Sequence, residues 1–185
     1  MRLTFLIFIL FLLPYFGFAV EKSELVHQPK SLIKEMLKLG VHNVDSALRV
    51  IQLKDSTANC DRGSFYRIAT SKTSLYYYVG RVNSCRVGGC SVEMGTNEDY
   101  EYFDYFIIFN EDGEVDLVRV FNYQATHGQE ITIKGWLKQF IGYNGASDLI
   151  VGSNVDHIAG ATISTNAISV DVEYRTRLLK EELKR

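Results

Sequence analysis

Proline and net charge are the two features that this 185-residue sequence most clearly lacks. It has two prolines, and 46% of its residues are apolar, which together exclude a disordered or fibrous chain. Its 20 basic and 22 acidic residues give a formal net charge of −2, so it carries no electrostatic footprint for nucleic acid. The sequence also lacks internal repeats and long linkers, and its length suits one domain.

Cysteine is scarce as well, with Cys60, Cys85 and Cys90 in the whole chain. The C-x-x-C-H haem signature is absent, and four zinc ligands cannot be assembled at any usual spacing, so no metal site is predicted. In an oxidising compartment, three cysteines predict one disulfide and one spare thiol. The turn sequence at residues 86–89 favours the Cys85–Cys90 pair, while plain thiols stay open as an alternative.

The first twenty residues form a long apolar run, of which sixteen are hydrophobic. A basic start at Arg2 and small residues around Ala19 are typical of a secretory signal. The alternative is an uncleaved membrane anchor, although the run is at the short end for a bilayer span and Pro14 interrupts it. Either interpretation places the chain from residue 21 onward outside the cytoplasm. We therefore expect an exported protein, periplasmic or on the outer face of the cytoplasmic membrane.

The part that follows the leader is predicted to have an α+β fold. Apolar residues at helical spacing predict helices over residues 29–39, 44–53, 131–143 and 168–185. Aromatic and β-branched residues bounded by turn signals predict strands over residues 65–69, 74–82, 102–110 and 114–123, with a short one over 149–151. The tetrapeptide at 110–113 predicts a hairpin turn. The expected fold is a single domain in which helices flank an antiparallel sheet.

These elements suggest three regions along the chain. Residues 1–20 are the signal peptide or anchor, residues 21–64 are a helical N-terminal region, and residues 65–185 contain the domain that carries the candidate chemistry.

Small and hydroxyl-bearing residues are concentrated just before the final predicted helix. Gly160 and Ala161 allow a ligand to approach the backbone closely. Thr162, Ser164 and Thr165 place hydroxyls at the expected helix N-terminus, where free N–H groups and the helix dipole favour an anion. The segment is therefore a candidate phosphate site. An ordinary N-cap packed tightly by small residues would explain the same pattern.

The sequence Asp156-His-Ile-Ala-Gly-Ala-Thr162 resembles the Asp-x-x-Ser/Thr-Gly-Ala-Thr signature of FMN-binding domains. This family includes the C subunit of the sodium-translocating NADH:quinone reductase and the G subunit of the Rnf electron-transport complex. In these proteins the last threonine carries FMN through a phosphoester bond, which a dedicated flavin transferase installs from FAD. The resemblance implies that Thr162 is the attachment residue. Ala159 stands where the family has Ser or Thr, so one hydroxyl for recognition by the transferase is missing.

A second stretch is similar to the same family. Asp112-Gly-Glu-Val115 leads to Ala125-Thr-His-Gly-Gln-Glu130 and then to Trp136-Leu-Lys-Gln-Phe140. This is the family's order of hairpin, Glu-Thr-Pro-Gly-like loop and Leu-x-Gln-Phe-like helix. Ala125 and His127 replace the Glu and Pro of the loop. The likeness covers roughly residues 75–174.

The resemblance implies further residues around the flavin. The loop would supply hydrogen-bond donors and a close approach through Thr126, Gly128 and Gln129. Trp136 would pack near the flavin ring, or lie on the core face of its own helix. His127 is a candidate proton donor, or a polar loop residue. Asp156 would orient the threonine hydroxyl or a metal during flavin transfer, or be a turn residue.

Together these features predict an exported FMN-binding flavoprotein that relays electrons between membrane-associated or extracytoplasmic redox partners. The cofactor would supply the redox chemistry, and the protein its position and potential. The sequence lacks a Gly-rich dinucleotide fingerprint, so direct oxidation of NADH by this chain is not supported. Two alternatives stay open. One is a small FMN-dependent reductase with His127 as proton donor, and the other is a non-redox interaction module that has lost flavin.

Overall fold

The computed structural model describes residues 24–53, 63–70, 73–86 and 100–185. The leader predicted over residues 1–20 lies outside these ranges, as do Cys60, Cys90 and the side chain of Cys85, so the predicted disulfide also falls outside them. Among the described residues, no helix is long and apolar enough to cross a membrane.

A five-stranded antiparallel sheet forms the centre of the fold, and its strands lie side by side in chain order. The strands are β1 (Leu48–Ile51), β2 (Gly63–Ala69), β3 (Ser74–Arg86), β4 (Tyr100–Phe109) and β5 (Val115–Gln124). The turn between β4 and β5 is the predicted hairpin, in which the Asn110 side chain accepts hydrogen bonds from the backbone N–H groups of Asp112 and Glu114. Gly113 supplies the positive φ of 75° that closes this turn.

Helices cover both faces of the sheet, which confirms the predicted α+β class. Helix α1 (Lys30–Lys38) and the short α2 (Val44–Ala47) pack on one face. The other face carries α4 (Thr162–Leu183) and a segment in which α3 (Lys134–Leu137) lies between two 3₁₀ turns, Gln129–Thr132 and Lys138–Phe140.

Each face of the sheet has its own hydrophobic core because side chains alternate along the strands. On the α4 face, Tyr78, Phe103 and Tyr105 are fully buried beneath the helix. On the α1 face, the buried residues include Tyr77 and Phe106. The aromatic residues from which the strands were predicted therefore pack in both hydrophobic cores.

Helix α4 packs on this aromatic surface through small hydroxyl residues as well as aliphatic ones. Thr165, Ser169 and Thr176 are fully buried. Each donates its hydroxyl proton to a backbone carbonyl four residues earlier, at 2.7, 2.8 and 2.7 Å respectively. Because these hydroxyls are satisfied within the helix, they can be buried without a desolvation penalty and let the helix lie close to the sheet.

The predicted helix over residues 44–53 is wrong beyond Ala47. Residues 48–51 form strand β1 instead, which pairs in antiparallel register with β2. The apolar residues of this ten-residue run are scattered, so they fit both the helical period of 3.6 residues and the strand period of two. The hydrogen bonds to β2 decide that residues 48–51 form a strand.

The helix predicted over residues 131–143 is broken into α3 and its two 3₁₀ turns. Its end is drawn to the sheet, because the Gly142 N–H donates to the Val115 carbonyl at 2.8 Å and the Val115 N–H donates to the Tyr143 carbonyl at 2.9 Å. The strand predicted over residues 149–151 is a single bridge between Val151 and Val155. The final helix begins at Thr162, six residues before the predicted start.

Alkaline pH is expected to destabilise this fold, because Tyr77 and Tyr105 are fully buried. Burial raises the pKa of both phenols above the usual value of 10, and the neighbouring Tyr66 and Asp171 respectively raise it further. The unfolded chain therefore loses these protons first. Their contribution to stability is complete below pH 10 and is lost above it, by about 1.4 kcal/mol per pH unit for each tyrosine.

Urea unfolding at pH 9, 10 and 11 measures this dependence. A Tyr105→Phe variant should be less stable at pH 9, because it loses a hydrogen bond, but its stability should fall less steeply above pH 10. An equally steep fall in this variant would show that Tyr105 does not titrate as expected.

Candidate functional site

A pocket of about 250 Å³ lies at the N-terminus of α4. Three parts of the chain line it: the end of β3, the loop after β5, and the start of α4. The lining residues are Ser84, His127, Gly160, Ala161, Thr162, Ile163 and Ser164. The structure thus brings together five of the residues predicted from the sequence (His127, Gly160, Ala161, Thr162 and Ser164) and adds Ser84 and Ile163.

Thr162 is the first residue of α4, and its side chain is exposed beside the pocket. The turn before it is closed by Gly160, which has a φ of 80° and no atom within 4 Å of the position a Cβ would take. The backbone N–H groups of Thr162, Ile163 and Ser164 make no hydrogen bond to any residue that the structure describes. These N–H groups and the helix dipole favour an anionic group next to the Thr162 hydroxyl.

A chain of hydroxyl groups includes two of the residues that line the pocket, Ser84 and Ser164. Ser84 Oγ lies 2.8 Å from Ser164 Oγ, and Ser164 Oγ lies 3.0 Å from the phenolic oxygen of Tyr123. Tyr123 donates its proton to the carbonyl oxygen of His127. Since a carbonyl only accepts, the donors follow one direction: Ser84 donates to Ser164, Ser164 donates to Tyr123, and Tyr123 donates to His127. The chain of hydroxyls ties the His127 loop to the first turn of α4.

Gly128 makes room for this hydroxyl chain. A Cβ at Gly128 would lie 2.6 Å from Ser164 Oγ and 2.9 Å from the Tyr123 oxygen, and the residue has a φ of 89°. Burial raises the pKa of the Tyr123 phenol, while the neighbouring hydroxyls of Ser164 and Ser84 lower it in part. Tyr123 therefore stays protonated, which its role as donor to His127 requires.

The loop that leads into α4 is held on one side by the α3 segment. The indole N–H of Trp136 donates to the Asp156 carbonyl at 2.9 Å. The Asp156 N–H donates to the Gln139 side chain at 2.6 Å. Trp136 also packs edge-on against Phe140 with ring centroids 5.4 Å apart. Trp136 thus fixes the backbone of the loop, and the Asp156 side chain is exposed beside it.

His157 is a residue of this site that the sequence analysis did not single out. Its Nε2 lies 3.3 Å from Thr162 Oγ1. The signal was present in the sequence, because His157 is the second residue of the motif that ends at Thr162. Only the turn closed by Gly160 brings the imidazole back to the hydroxyl.

Three more predicted site residues, like Gly128, Trp136 and Asp156, do not line the pocket. Thr126 donates its hydroxyl proton to the carboxylate of Glu101. Gln129 is exposed at the start of the first 3₁₀ turn. Thr165 is fully buried and bonds the Ala161 carbonyl, so its hydroxyl faces the helix interior.

Chemically, the site offers an exposed hydroxyl, backbone N–H donors that bond no other described residue, and two imidazoles. Among the described residues, no group of three or more His, Cys, Asp or Glu side chains is arranged to hold a metal ion. The arrangement is suited to a phosphate group bound at, or attached to, Thr162.

No family model, curated protein or solved structure matches the chain.

Proposed function

We propose that this chain is an exported flavoprotein that holds FMN at the N-terminus of α4, with the phosphate esterified to Thr162. One observation carries the proposal: the exposed Thr162 hydroxyl lines a pocket beside backbone N–H groups that bond none of the described residues. A phosphodiester at that position would keep one negative charge, and the N–H groups and helix dipole would stabilise it. The motif from Asp156 to Thr162 supports the same assignment.

The residues at the pocket fit the phosphate and ribityl end of FMN. Space next to Thr162 is open, because a Cβ at Gly160 would meet no atom within 4 Å. Among the lining residues, Ala161 and Ile163 supply apolar surface, and His127 and Ser84 supply polar groups. When bound, FMN supplies one- and two-electron redox chemistry. The chain's own residues bind the phosphate, orient it and tie the His127 loop to the helix that carries it.

In this proposal a flavin transferase matures the protein outside the cytoplasm, in the periplasm or at the outer face of the cytoplasmic membrane. The protein then passes electrons between membrane-associated or extracytoplasmic partners. Covalent attachment suits a carrier of this kind, because a tethered flavin cannot diffuse away between two electron transfers.

Replacing Thr162 with alanine is expected to abolish attachment of FMN when the full chain is produced together with a flavin transferase, because the acceptor hydroxyl is gone. Serine at this position should retain attachment. Attachment is measured as a gain in intact mass equal to the mass of FMN minus one water. Visible absorbance of the denatured protein also measures attached flavin. Ser153→Ala removes an exposed hydroxyl from a turn outside the pocket and should leave the mass gain unchanged.

Other outcomes of this experiment distinguish the alternatives. Flavin that binds but separates on denaturation would mean that the site is non-covalent, as the missing hydroxyl at Ala159 allows. Flavin still attached to the Thr162→Ala variant would refute the assignment of Thr162. A colourless wild-type protein without a mass gain would support the non-redox interaction module instead.

A small FMN-dependent reductase is the second candidate, and the position of His127 in the same pocket favours it. It predicts turnover of a soluble extracytoplasmic substrate by the flavin-loaded protein with an artificial electron donor. His127→Gln should then slow turnover, because glutamine cannot donate a proton in the same way. A flavoprotein that exchanges electrons with partners but turns over no soluble substrate would exclude this candidate.

A further inference from the structure

We propose that His157 is the base that takes the proton of Thr162 when this hydroxyl attacks phosphorus. This inference rests on the proposed function and adds a catalytic role for a residue of the acceptor protein itself. The observation behind it is the contact of 3.3 Å between His157 Nε2 and Thr162 Oγ1. Such a distance is within the range that nucleophile and base pairs have before substrate binds.

The loop around His157 is fixed on both sides of the residue. On the N-terminal side, Trp136 and Gln139 bond the backbone of Asp156. On the C-terminal side, the Ala161 N–H donates to the Ile158 carbonyl at 3.1 Å. The imidazole is therefore carried by a short, tied segment.

Both members of the pair are accessible to a second protein. His157 and Thr162 are exposed, and Ala159 and Gly160 between them are exposed as well. When Nδ1 of His157 carries its proton, Nε2 is the acceptor that faces the Thr162 hydroxyl. No rearrangement of the loop is needed for the proton to pass along this contact.

The step that this pair would perform is a phosphoryl-group transfer from a dinucleotide pyrophosphate, FAD, held by the transferase. A bond forms between Thr162 Oγ1 and the phosphorus of the FMN half. The bond from that phosphorus to the bridging pyrophosphate oxygen breaks, and AMP leaves with the electron pair. The hydroxyl proton passes to His157 Nε2. No electrons are gained or lost, and the step needs no co-reactant besides FAD.

The other candidate base on the described surface is His127, which lines the same pocket. Its carbonyl is held by Tyr123, but no contact joins its ring to the Thr162 hydroxyl among the described residues. His127 is therefore the residue against which His157 must be compared.

The experiment measures the initial rate of flavin attachment to the full chain by a flavin transferase with FAD, followed by intact mass. His157→Gln should lower this rate by about 100-fold or more, because glutamine can hydrogen-bond the hydroxyl but cannot take its proton. His157→Gly should be equally slow, and added imidazole should restore its rate in proportion to the imidazole concentration. Recovery by imidazole is a result that a purely structural role would not give.

One variant serves as the control. His42→Gln removes an exposed histidine between α1 and α2, outside the pocket, and should attach FMN at the wild-type rate. His127→Gln tests the other imidazole of the pocket and should lower the rate less than His157→Gln does. Thermal unfolding of each unloaded variant checks that the fold is intact.

A rate for His157→Gln within a few-fold of wild type would overturn the role of His157 and leave the proposed function standing. A slow His157→Gly variant that imidazole fails to restore would also overturn it, since His157 would then only shape the loop. Failure of the wild-type chain to accept FMN at all would refute the proposed function, and the role of His157 with it.

Discussion

Leucine in place of Asp171 is expected to lower the free energy of unfolding by about 3 kcal/mol, because it breaks a partly buried ion pair between two residues of α4. Arg175 is 6% exposed, and its Nε lies 3.2 Å from the Asp171 carboxylate. The other carboxylate oxygen accepts a hydrogen bond of 2.6 Å from Tyr105, which is fully buried. The substitution would leave a buried guanidinium and a buried phenol without the carboxylate that they share.

The electrostatics of Arg175 explain why the cost is large. Burial alone would lower the pKa of its guanidinium, but the Asp171 carboxylate and the phenols of Tyr78 and Tyr105 outweigh burial, and the pKa is raised. The charge therefore stays on Arg175 in the folded protein. It also lies over the Tyr78 ring, 4.7 Å from the centroid, but a ring face replaces only part of the attraction of a carboxylate.

Urea unfolding of three variants tests this expectation. Asp171→Asn should cost less than Asp171→Leu, since its amide oxygen can still accept from Tyr105. Asp148→Asn removes one of the two carboxylate partners of Arg177 in an exposed pair, leaving Glu173, and should change the unfolding midpoint little, because water screens this pair. If Asp171→Leu were no more costly than Asp148→Asn, the carboxylate would not be holding α4 to the sheet.

The strands illustrate how much of the fold local sequence can predict. β2 to β5 are dense in aromatic and β-branched residues, and the turn at Asn110 and Gly113 is built from residues suited to it, so each was predictable from a short window. Strand β1 contains two β-branched residues but is only four residues long, too short for a pattern that distinguishes strand from helix. Its hydrogen bonds go to β2, a partner that lies beyond the reach of any local pattern.

The first turns of α4 were missed for a related reason. Residues 162–167 contain few large apolar side chains, so they lack the hydrophobic spacing that predicts a helix. In the structure, Ser164 and Thr165 are buried there in place of aliphatic residues. Their hydroxyls form hydrogen bonds with Ser84, Tyr123 and the Ala161 carbonyl. The spacing of apolar residues in the sequence gives no sign of these bonds.

The candidate site likewise has residues that a local sequence pattern could place together and residues that only the fold brings there. Gly160, Ala161 and Thr162 are neighbours in one motif, so a sequence pattern could place them together. Ser84 and Tyr123 come from β3 and β5, and only the register of the sheet and the docking of α4 bring their hydroxyls to Ser164. The sequence pattern assigned Trp136 to the flavin or to the core, and the structure packs it against the core of the α4 face, with its indole N–H bonded to the Asp156 carbonyl.

Alanine at Gly128 is expected to lower the free energy of unfolding by about 2–5 kcal/mol and to disturb the site as well. The left-handed φ of 89° accounts for about 1–2 kcal/mol. The rest comes from the new Cβ, which would lie 2.6 Å from Ser164 Oγ and 2.9 Å from the Tyr123 oxygen. Overpacking of this kind costs about 1–3 kcal/mol. Ser164 is 2% exposed, so it cannot move aside without moving α4.

Gly142→Ala is the matched control for this substitution. Gly142 has a nearly equal φ of 84°, but no atom lies within 4 Å of the position of its Cβ. It should therefore show the backbone cost alone, about 1–2 kcal/mol. The difference between the two variants in urea unfolding measures the steric contact with the hydroxyl chain. An equal loss of stability in both would mean that Ser164 and Tyr123 yield freely to the new side chain.

The same pair of variants connects stability to the site. In Gly128→Ala, the new methyl group separates Ser164 from Tyr123, and the bond from Tyr123 to the His127 carbonyl loses its support. The His127 loop should then move away from the first turn of α4, where Thr162 lies. Under the proposed function, Gly128→Ala should attach FMN more slowly than Gly142→Ala at a temperature where both are folded. Equal rates would show that attachment at Thr162 does not depend on the position of this loop.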